Sequence, residues 1–322
     1  MVDPCYDEPR LRLGVSACLV GKPVRFDGGH KRDPFLTERL ARFVEWVPVC
    51  PEEEAGLGTP REAMRLVHRD GADRLVGVRS QRDLTNTLTD FAAARVAQLA
   101  ASDLDGFVLK KDSPSCGLTR VKVYSEHGVP ARTGRGLFAE ALCAALPMLP
   151  VEEEGRLSDA VIREHFIERI YAFRRVRRLL KDGTRVGDLV RFHTQHKLQL
   201  LAHSPVQYTA LGRLVAHARA TSLEHAMADY GRSFTTALTT IVTRGRHVNV
   251  LQHAAGYFRR VLPGAACRDV AAAIVDYQRG LTPLVVPLRL IEHYAHLHDV
   301  RYLSNQVYLN PYPYELMLRN YV

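Results

Sequence analysis

The sequence predicts an α/β domain with a mostly parallel sheet, followed by a domain that is an all-α helical bundle. Three observations predict this arrangement. In residues 1–150, short β-branched runs alternate with stretches of helical periodicity, which is typical of a parallel sheet with helical crossovers. From residue 151 on, helical periodicity continues and β signals are scarce. Residues 146–157 (LPMLPVEEEGRL) combine two prolines, an acidic triplet and a glycine, and predict a linker with a domain boundary at 150/151.

The first domain shows four short apolar runs that predict strands, at residues 11–15, 44–49, 75–78 and 106–109. Helical patterns separate or follow them, at residues 34–43, 85–101 and 136–146. In open parallel sheets, ligands bind at the carboxyl ends of the strands. We therefore expect the residues that follow these strands to hold the functional site.

The second domain begins with Ser158 and Asp159, which predict an N-cap for a helix that ends near residue 180. The further predicted helices cover residues 185–202, 205–219, 222–243, 246–261, 266–279 and 285–299. The chain then ends in an irregular tail rich in tyrosine, proline and asparagine. Tyrosines 302, 308, 312 and 314 of this tail are candidates for stacking on unpaired bases or for packing on the helices.

Composition excludes two classes of protein. With 46% apolar residues in 322, the chain is not disordered as a whole. Its longest uncharged stretches contain 11 residues with polar or proline breaks, or 15 very mixed residues, so none is a membrane-spanning helix. The first residues, MVDPCYDEPRLRL, lack the basic and apolar regions of a signal peptide. We therefore expect a cytoplasmic protein with no membrane partner.

The positive charge is concentrated in the second domain. Residues 1–150 hold 21 Lys and Arg against 20 Asp and Glu, whereas residues 151–322 hold 23 against 15. A basic domain beside a neutral one predicts a polyanionic partner. A compositional bias towards arginine, which supplies 37 of the 44 basic residues, is the alternative explanation.

Three of the six cysteines share one setting. Cys18, Cys50 and Cys116 each lie within a few residues of a predicted strand end, in loops rich in small or turn-forming residues. Three thiolates that converge there would bind a soft metal and leave one coordination position open. Paired C-x-x-C spacing, common in zinc sites, is absent, whereas a 4Fe-4S cluster accepts ligands from separate loops. Three unrelated thiols remain the alternative, and Cys5, Cys143 and Cys267 lack this setting.

The motifs around these cysteines resemble the bacterial thiouracil desulfidase family. They are SACLVG at 16–21, VCPE at 49–52 and KKDSPSCG at 110–117, and the resemblance covers residues 10–150. The segment FHTQHKLQLLAHSPVQYTALG at 192–212 resembles a helical domain of unknown function that is often fused behind it. Together they resemble the fused form assigned as tRNA 4-thiouridine desulfidases. The resemblance implies a 4Fe-4S cluster on Cys18, Cys50 and Cys116.

The same resemblance implies catalytic roles for Glu52 and Ser113, with Ser115 as a neighbouring candidate and Glu53 or Glu54 as alternatives for the acid. The implied reaction is hydrolysis without net electron transfer, in which 4-thiouridine becomes uridine and sulfide leaves. Attack by water needs a general base, and the ring needs its developing charge stabilised. The alternatives are a desulfidase of free thiouracil or another small thioamide, and a non-catalytic iron-sulfur regulator that binds RNA.

Several basic residues are candidates for RNA contacts. Helical spacing puts Arg174, Arg178 and Lys181 on one face, which predicts either a phosphate-binding surface or an ordinary solvated face. The remaining candidates are Lys110, Lys111 and Lys197. His193, His196 and His203 share one predicted helix and could bind metal, contact RNA or form a buried hydrogen-bonded network.

Overall fold

The computed structural model describes residues 10–125, 127–183, 185–219 and 222–322. These residues form two compact units, one that ends at Ser158 and one that begins at Asp159. Cys5 lies outside the described residues. No helix in the described part of the chain combines the length and the apolar character that a membrane span requires.

The described residues of the first unit form eight strands in two sheets. They are β1 (Leu11–Ser16), β2 (Val44–Val49), β3 (Met64–Arg69), β4 (Ala72–Gly77), β5 (Gly106–Leu109), β6 (Val121–Tyr124), β7 (Pro130–Gly134) and β8 (Val151–Glu153). Four of them form a fully parallel sheet in the order β2-β1-β5-β8. Strand β5 is buried throughout and so reads as a continuous apolar run, as expected for the middle of a parallel sheet.

The second sheet is mixed, with the order β4-β3-β6-β7. Strands β3 and β4 are antiparallel and are joined through Asp70 and Gly71, both with positive φ. This two-residue Asp-Gly connection is the turn that favours a hairpin. The predicted strand at 75–78 is therefore β4 of an antiparallel pair, and the expectation of one mostly parallel sheet holds only for the first sheet.

Two regular helices, α1 (Thr85–Ala100) and α2 (Leu137–Ala145), follow the predicted patterns at 85–101 and 136–146. Helix α1 buries Leu88, Ala92, Val96 and Leu99, whose spacing puts them on one face. The predicted helix at 34–43 is instead two short irregular turns, Phe35–Arg39 and Leu40–Arg42.

The segment predicted as a linker is part of the first unit. Residues 151–153 form β8, which pairs in parallel with β5. Because the strand has only three residues and turn-forming residues flank it, the sequence of this segment has the pattern of a linker. The division between the units consequently lies at 158/159 and not at 150/151.

The second unit is largely helical, as predicted, and no strand occurs among its described residues. Asp159 caps its first helix by accepting hydrogen bonds from the amides of Val161 and Ile162. The helices are α3 (Ala160–Asp182), α4 (Val186–His203), α5 (Pro205–His217), α6 (Leu223–Ala237), α7 (Arg244–Gly256), α8 (Gly264–Arg279), α9 (Val285–Leu297) and α10 (Arg301–Ser304). Helix α6 ends six residues before its predicted end at 243.

The interior of the second unit contains a charged network between α3, α4 and the tail. The Arg319 guanidinium lies 3.1 Å from Oε1 of Glu164, which also accepts a hydrogen bond from the Tyr312 hydroxyl at 2.8 Å. Glu168 accepts from Gln199 at 2.8 Å and faces Nε2 of His203 at 3.3 Å. This pairing compensates the cost of burying the charges and ties the tail to α3.

Most buried histidines of this unit are held in the neutral form. Burial lowers the pKa of His165 and of His193 to about 4, and that of His196 and of His247 to about 3. Burial also disfavours a charged His203, but the facing Glu168 carboxylate and the Thr240 carbonyl together raise the pKa of His203. Folding therefore disfavours protonation of four of these histidines and favours protonation of His203.

We expect acid to unfold the second unit before the first. The four depressed histidines stabilise the fold fully above the unfolded-state pKa of about 6.5, and this contribution is lost as the pH falls towards about 4. In urea titrations of the full chain at pH 7.5, 6 and 4.5, the unfolding midpoint followed by helical circular dichroism should fall steeply. The emission of Trp46, which lies in β2, is the internal control and should change less. An unchanged helical midpoint would contradict this account.

Candidate functional site

The three predicted cysteines lie at neighbouring strand ends. Cys18 follows β1, Cys50 follows β2, and Cys116 lies in the loop after β5. Because β1 pairs in parallel with both β2 and β5, their carboxyl ends meet at one edge of the sheet. All three cysteines line a single cavity of about 360 Å³. Cys143, which lies on α2, is not among the residues that line it.

The three thiols are costly to ionise in this cavity. Burial raises the pKa of Cys18 to about 11 and raises the pKa of Cys50 and of Cys116. Charge on Cys18 or Cys50 would raise the pKa of Cys116 further, and charge on Cys50 would do the same to Cys18. Three such thiolates would therefore need a bound cationic group to compensate their charge.

The chemistry of the donor set fits an iron-sulfur cluster, because cysteine thiolates are the ligands that such clusters use. Among the described residues, no group of three or more His, Cys, Asp or Glu side chains is arranged around one metal position. Iron in a cluster is bound by cysteine thiolates, with each cysteine on a different iron, so the sulfurs stand farther apart than around one ion. Three thiols around one cavity are compatible with that requirement.

Glu52 is the one acid of its run that lines the cavity. One carboxylate oxygen contacts the Arg61 guanidinium, and the other accepts a hydrogen bond from the Ser115 hydroxyl at 2.5 Å. Arg61 is itself held by the carbonyl oxygens of Val24 and Gly58. The position of the Glu52 side chain is therefore fixed on both oxygens.

The neighbouring acids have other partners. Glu54 accepts a hydrogen bond from the Cys50 amide at 2.8 Å and pairs with Arg95 at 3.0 Å, while Glu53 is exposed. Of the three candidates, only Glu52 is in place to act on a molecule in the cavity.

The two candidate serines form a chain with Glu52. The hydroxyl oxygens of Ser113 and Ser115 are 2.9 Å apart, and Ser115 in turn contacts Glu52. Ser113 also accepts a hydrogen bond from the Cys116 amide at 3.1 Å. The backbone carbonyl of Ser115 accepts from the first amides of α2, at Phe138 and Ala139. The loop that carries Cys116 is thus fixed on the helix N-terminus.

The acidic triplet at 152–154 supports the same loop from the sheet. Oε1 of Glu153 accepts from the amides of Leu118 and Thr119, at 2.7 and 3.3 Å. Glu154 pairs with the Lys110 ammonium and accepts from the Lys111 amide at 2.7 Å. Lys110 is thus ion-paired with Glu154, whereas Lys111 is exposed beside the cavity, and the RNA-binding role of both lysines stays a prediction.

The three histidines predicted as possible ligands are buried and bonded separately. His193 contacts the Tyr230 hydroxyl at 3.2 Å, His196 the Phe192 carbonyl at 2.7 Å, and His203 the Thr240 carbonyl at 2.7 Å. These contacts are those of the buried network that the sequence left open as an alternative.

The predicted RNA-binding residues of the second unit differ in exposure. Arg174 is buried, with 6% exposed, so it is not part of a solvated face, because an arginine at that helical position turns into the interior. Lys181 is exposed, and Arg178 and Lys197 are half-buried. Their RNA-binding role stays a prediction.

Two of the four tail tyrosines pack in the interior. Tyr308 and Tyr312 are buried, Tyr302 stacks on Tyr257 at 4.7 Å, and Tyr314 lies against the Arg289 guanidinium. Tail packing therefore accounts for Tyr308 and Tyr312.

Sequence reasoning missed Arg61 and Glu153. Arg61 reaches Glu52 across nine positions in a loop with no recognisable motif. Glu153 sits in the acidic triplet that resembled a solvated linker. The apolar residues around the triplet, and the need to complete a parallel sheet, are the signals that could have shown a buried strand.

We expect Glu153→Ala to lower the free energy of unfolding by about 1–3 kcal/mol, because two amides of the Cys116 loop lose their buried acceptor. Glu153→Gln keeps an acceptor oxygen and is the matched control, with a smaller loss. Thermal unfolding followed by Trp46 emission measures both. Equal losses for the two variants would show that the acceptor does not stabilise the loop.

Sequence comparison with known proteins assigns the first unit to a family. A family model described as 2-thiouracil desulfurase matches residues 13–154, and one described as a protein of unknown function, DUF1722, matches residues 197–313. The uncharacterized protein YbgA of Escherichia coli (strain K12) is 35% identical over 153 residues, which are 47% of this chain and 90% of YbgA. The uncharacterized protein YbbK of Bacillus subtilis (strain 168) is 32% identical over 111 residues, which are 32% of this chain and 71% of YbbK.

A solved structure of the [4Fe-4S]-dependent thiouracil desulfidase TudS is 29% identical. Its match covers 46% of this chain and 94% of that chain, with a TM-score of 0.37. The family model covers the segment that carries all three cavity cysteines. Through residues 13–154, the chain belongs to the 2-thiouracil desulfurase family.

Proposed function

We propose that this protein removes sulfur from 4-thiouridine in tRNA by hydrolysis, giving uridine and sulfide. The observation that carries the proposal is the chain from Glu52 through Ser115 to Ser113, in the same cavity as three cysteines and within the segment that matches the family. In the net reaction, water supplies the new oxygen at C4, the carbon–sulfur bond breaks, and sulfide leaves with the remaining protons. No electron donor is consumed.

Cys18, Cys50 and Cys116 are the residues that would hold a 4Fe-4S cluster. When bound, such a cluster with three protein ligands supplies a Lewis-acidic iron for the soft sulfur of the substrate. The chain contributes the burial of the thiols and the fixed loops. Glu54 and Ser113 accept hydrogen bonds from the amides of Cys50 and Cys116, and so orient these two ligands.

The serines connect the reaction position with the base. Both oxygens of Glu52 are already bonded, one to Arg61 and one to the Ser115 hydroxyl. A proton from the attacking water therefore reaches Glu52 through a hydroxyl: Ser115 gives its proton to the carboxylate and takes one from Ser113 or from the water. Arg61 stays bonded to the other oxygen and holds the carboxylate in position.

Charge supports RNA as the carrier of the thiopyrimidine. Residues 151–322 hold eight more basic than acidic residues, which is the electrostatic composition of a domain that binds nucleic acid. The description of the family favours a second candidate, free thiouracil as the substrate. A third, an iron-sulfur regulator without turnover, is distinguished from both by the absence of sulfide release.

A measurement of sulfide release distinguishes the three candidate functions. Protein reconstituted anaerobically with iron and sulfide, then freed of excess sulfide, is incubated with 4-thiouridine tRNA or with free thiouracil. We expect one sulfide per uridine formed in tRNA and a higher kcat/KM for tRNA. Cys116→Ala should lose iron and activity, and Cys143→Ala, outside the cavity, should keep both. Faster turnover of thiouracil would favour the second candidate, and no sulfide from either substrate would favour the third.

The proposed proton path predicts how strongly each variant should lower kcat. Glu52→Gln should lower kcat by about 10²- to 10⁴-fold, as is typical of a missing general base, and leave tRNA affinity unchanged. Ser115→Ala should be comparably slow because it breaks the hydroxyl contact with Glu52, and Ser113→Ala should be milder. Glu53→Gln is the matched control, since Glu53 is exposed outside the cavity. Wild-type rates in Glu52→Gln would show that the base is wrong.

A further inference from the structure

Ser16 carries a buried hydroxyl at the edge of the sheet that the proposed chemistry does not use. It is the last residue of β1, it lines the cavity, and only 2% of it is exposed. A serine directly before a helical turn ordinarily caps the turn by accepting a hydrogen bond from a backbone amide. Ser16 precedes the 3₁₀ turn Ala17–Val20, but its side chain makes no such bond. The hydroxyl is therefore left to make contacts across the sheet.

The oxygen of this hydroxyl accepts a hydrogen bond from the loop that follows β5. The Lys110 amide donates to Oγ of Ser16 at 2.9 Å, across 94 positions of sequence. Strands β1 and β5 pair in parallel, and this bond lies at the end of their pairing. Because Cys18 follows Ser16 by two positions and Cys116 follows Lys110 by six, the bond connects the two cysteine loops where they leave the sheet.

The hydrogen of the same hydroxyl is bonded to a cysteine. A hydroxyl can donate its one hydrogen while its oxygen accepts from another group. Burial raises the pKa of Cys116, and a hydrogen bond with the Ser16 side chain is the largest effect that lowers it. The Ser115 hydroxyl also lies 3.8 Å from Sγ of Cys116, but its hydrogen is donated to Glu52 at 2.5 Å. Of these two hydroxyls, Ser16 is the one whose hydrogen remains for the sulfur.

A hydrogen bond to a ligand sulfur changes how much electron density that sulfur gives to iron. Hydrogen bonds to the sulfurs are among the factors that set the reduction potential of an iron-sulfur cluster, and the groups that make them also orient the ligands. We infer that Ser16 is a positioning residue for the proposed desulfuration: its hydroxyl donates to Sγ of Cys116, holds this ligand in place and draws electron density from it. Iron bound to this sulfur is then the stronger Lewis acid. The inference rests on the 4Fe-4S cluster of the proposed function.

The reduction potential of the reconstituted cluster tests this role without turnover. Ser16→Ala removes the hydrogen bond, so the midpoint potential in an anaerobic redox titration should shift to a more negative value, because the sulfur then gives more electron density to iron. The kcat for 4-thiouridine tRNA should fall about 10- to 100-fold, the loss that is typical when a hydrogen-bond partner of a metal ligand is removed. Ser16→Thr keeps the hydroxyl and should keep both values near those of the wild type.

Thr85→Val is the matched control for the loss of a structural hydrogen bond. Like Ser16, Thr85 accepts a backbone amide through its hydroxyl, from Leu75 at 2.9 Å, but it does not line the cavity. Ser16→Ala and Thr85→Val should both lower the thermal unfolding temperature of the full chain, whereas only Ser16→Ala should shift the potential. The same potential in the wild type and in both variants would show that Ser16 has a structural role alone, and this would overturn the inference.

Resonance Raman spectra of the wild-type protein test the hydrogen bond without a substitution. The stretching bands between iron and the cysteine sulfurs should shift between H₂O and D₂O, because an exchangeable hydrogen is bonded to a ligand sulfur. Bands at the same positions in both solvents would rule the inference out, even if Ser16→Ala does not fold. A shifted potential in Ser16→Ala together with no sulfide from any thiopyrimidine would contradict the proposed function alone. A protein that assembles no cluster would contradict both.

Discussion

Parallel pairing of β1 with β2 and β5 is the constraint on which the site depends. Because the three strands run in the same direction, the loops that carry Cys18, Cys50 and Cys116 leave the sheet at one edge and line one cavity. The pairing also brings the proline-serine loop after β5 against the segment after β2, where Ser115 contacts Glu52. One backbone arrangement therefore brings together the three thiols and the contact between Ser115 and Glu52.

The loops at this edge are held by acidic side chains that accept hydrogen bonds from their amides. Glu153 holds the end of the Cys116 loop, Glu154 holds its beginning through Lys110 and Lys111, and Glu54 holds Cys50. Each carboxylate makes charge-assisted hydrogen bonds with backbone or side-chain N–H groups of these loops. This support matters for function, because ligands and a proton relay act only if their separations stay fixed.

The sequence predicted the residues that line the cavity better than the residues that hold its side chains and loops in place. Strand ends followed by Cys18, Cys50 and Cys116 are local patterns, and the rule that parallel strands end together was enough to join them. Arg61 and Glu153 contact residues 9 and 35 positions away, and neither a motif nor a period in the sequence predicts these contacts. The three-residue strand β8 was hidden because its charged side chains, which look solvated in sequence, are buried against the next loop. The same applies to Arg174, whose burial depends on tertiary packing and not on helical spacing.

The central claim is that water, activated in this cavity, replaces the sulfur of a thiopyrimidine without redox chemistry. Turnover of 4-thiouridine tRNA in ¹⁸O-labelled water, under anaerobic conditions and without a reductant, tests it most directly by mass spectrometry of the released nucleoside. The account predicts uridine with one ¹⁸O at C4 and an equal amount of sulfide. Uridine without the label, or turnover that requires an electron donor, would contradict it.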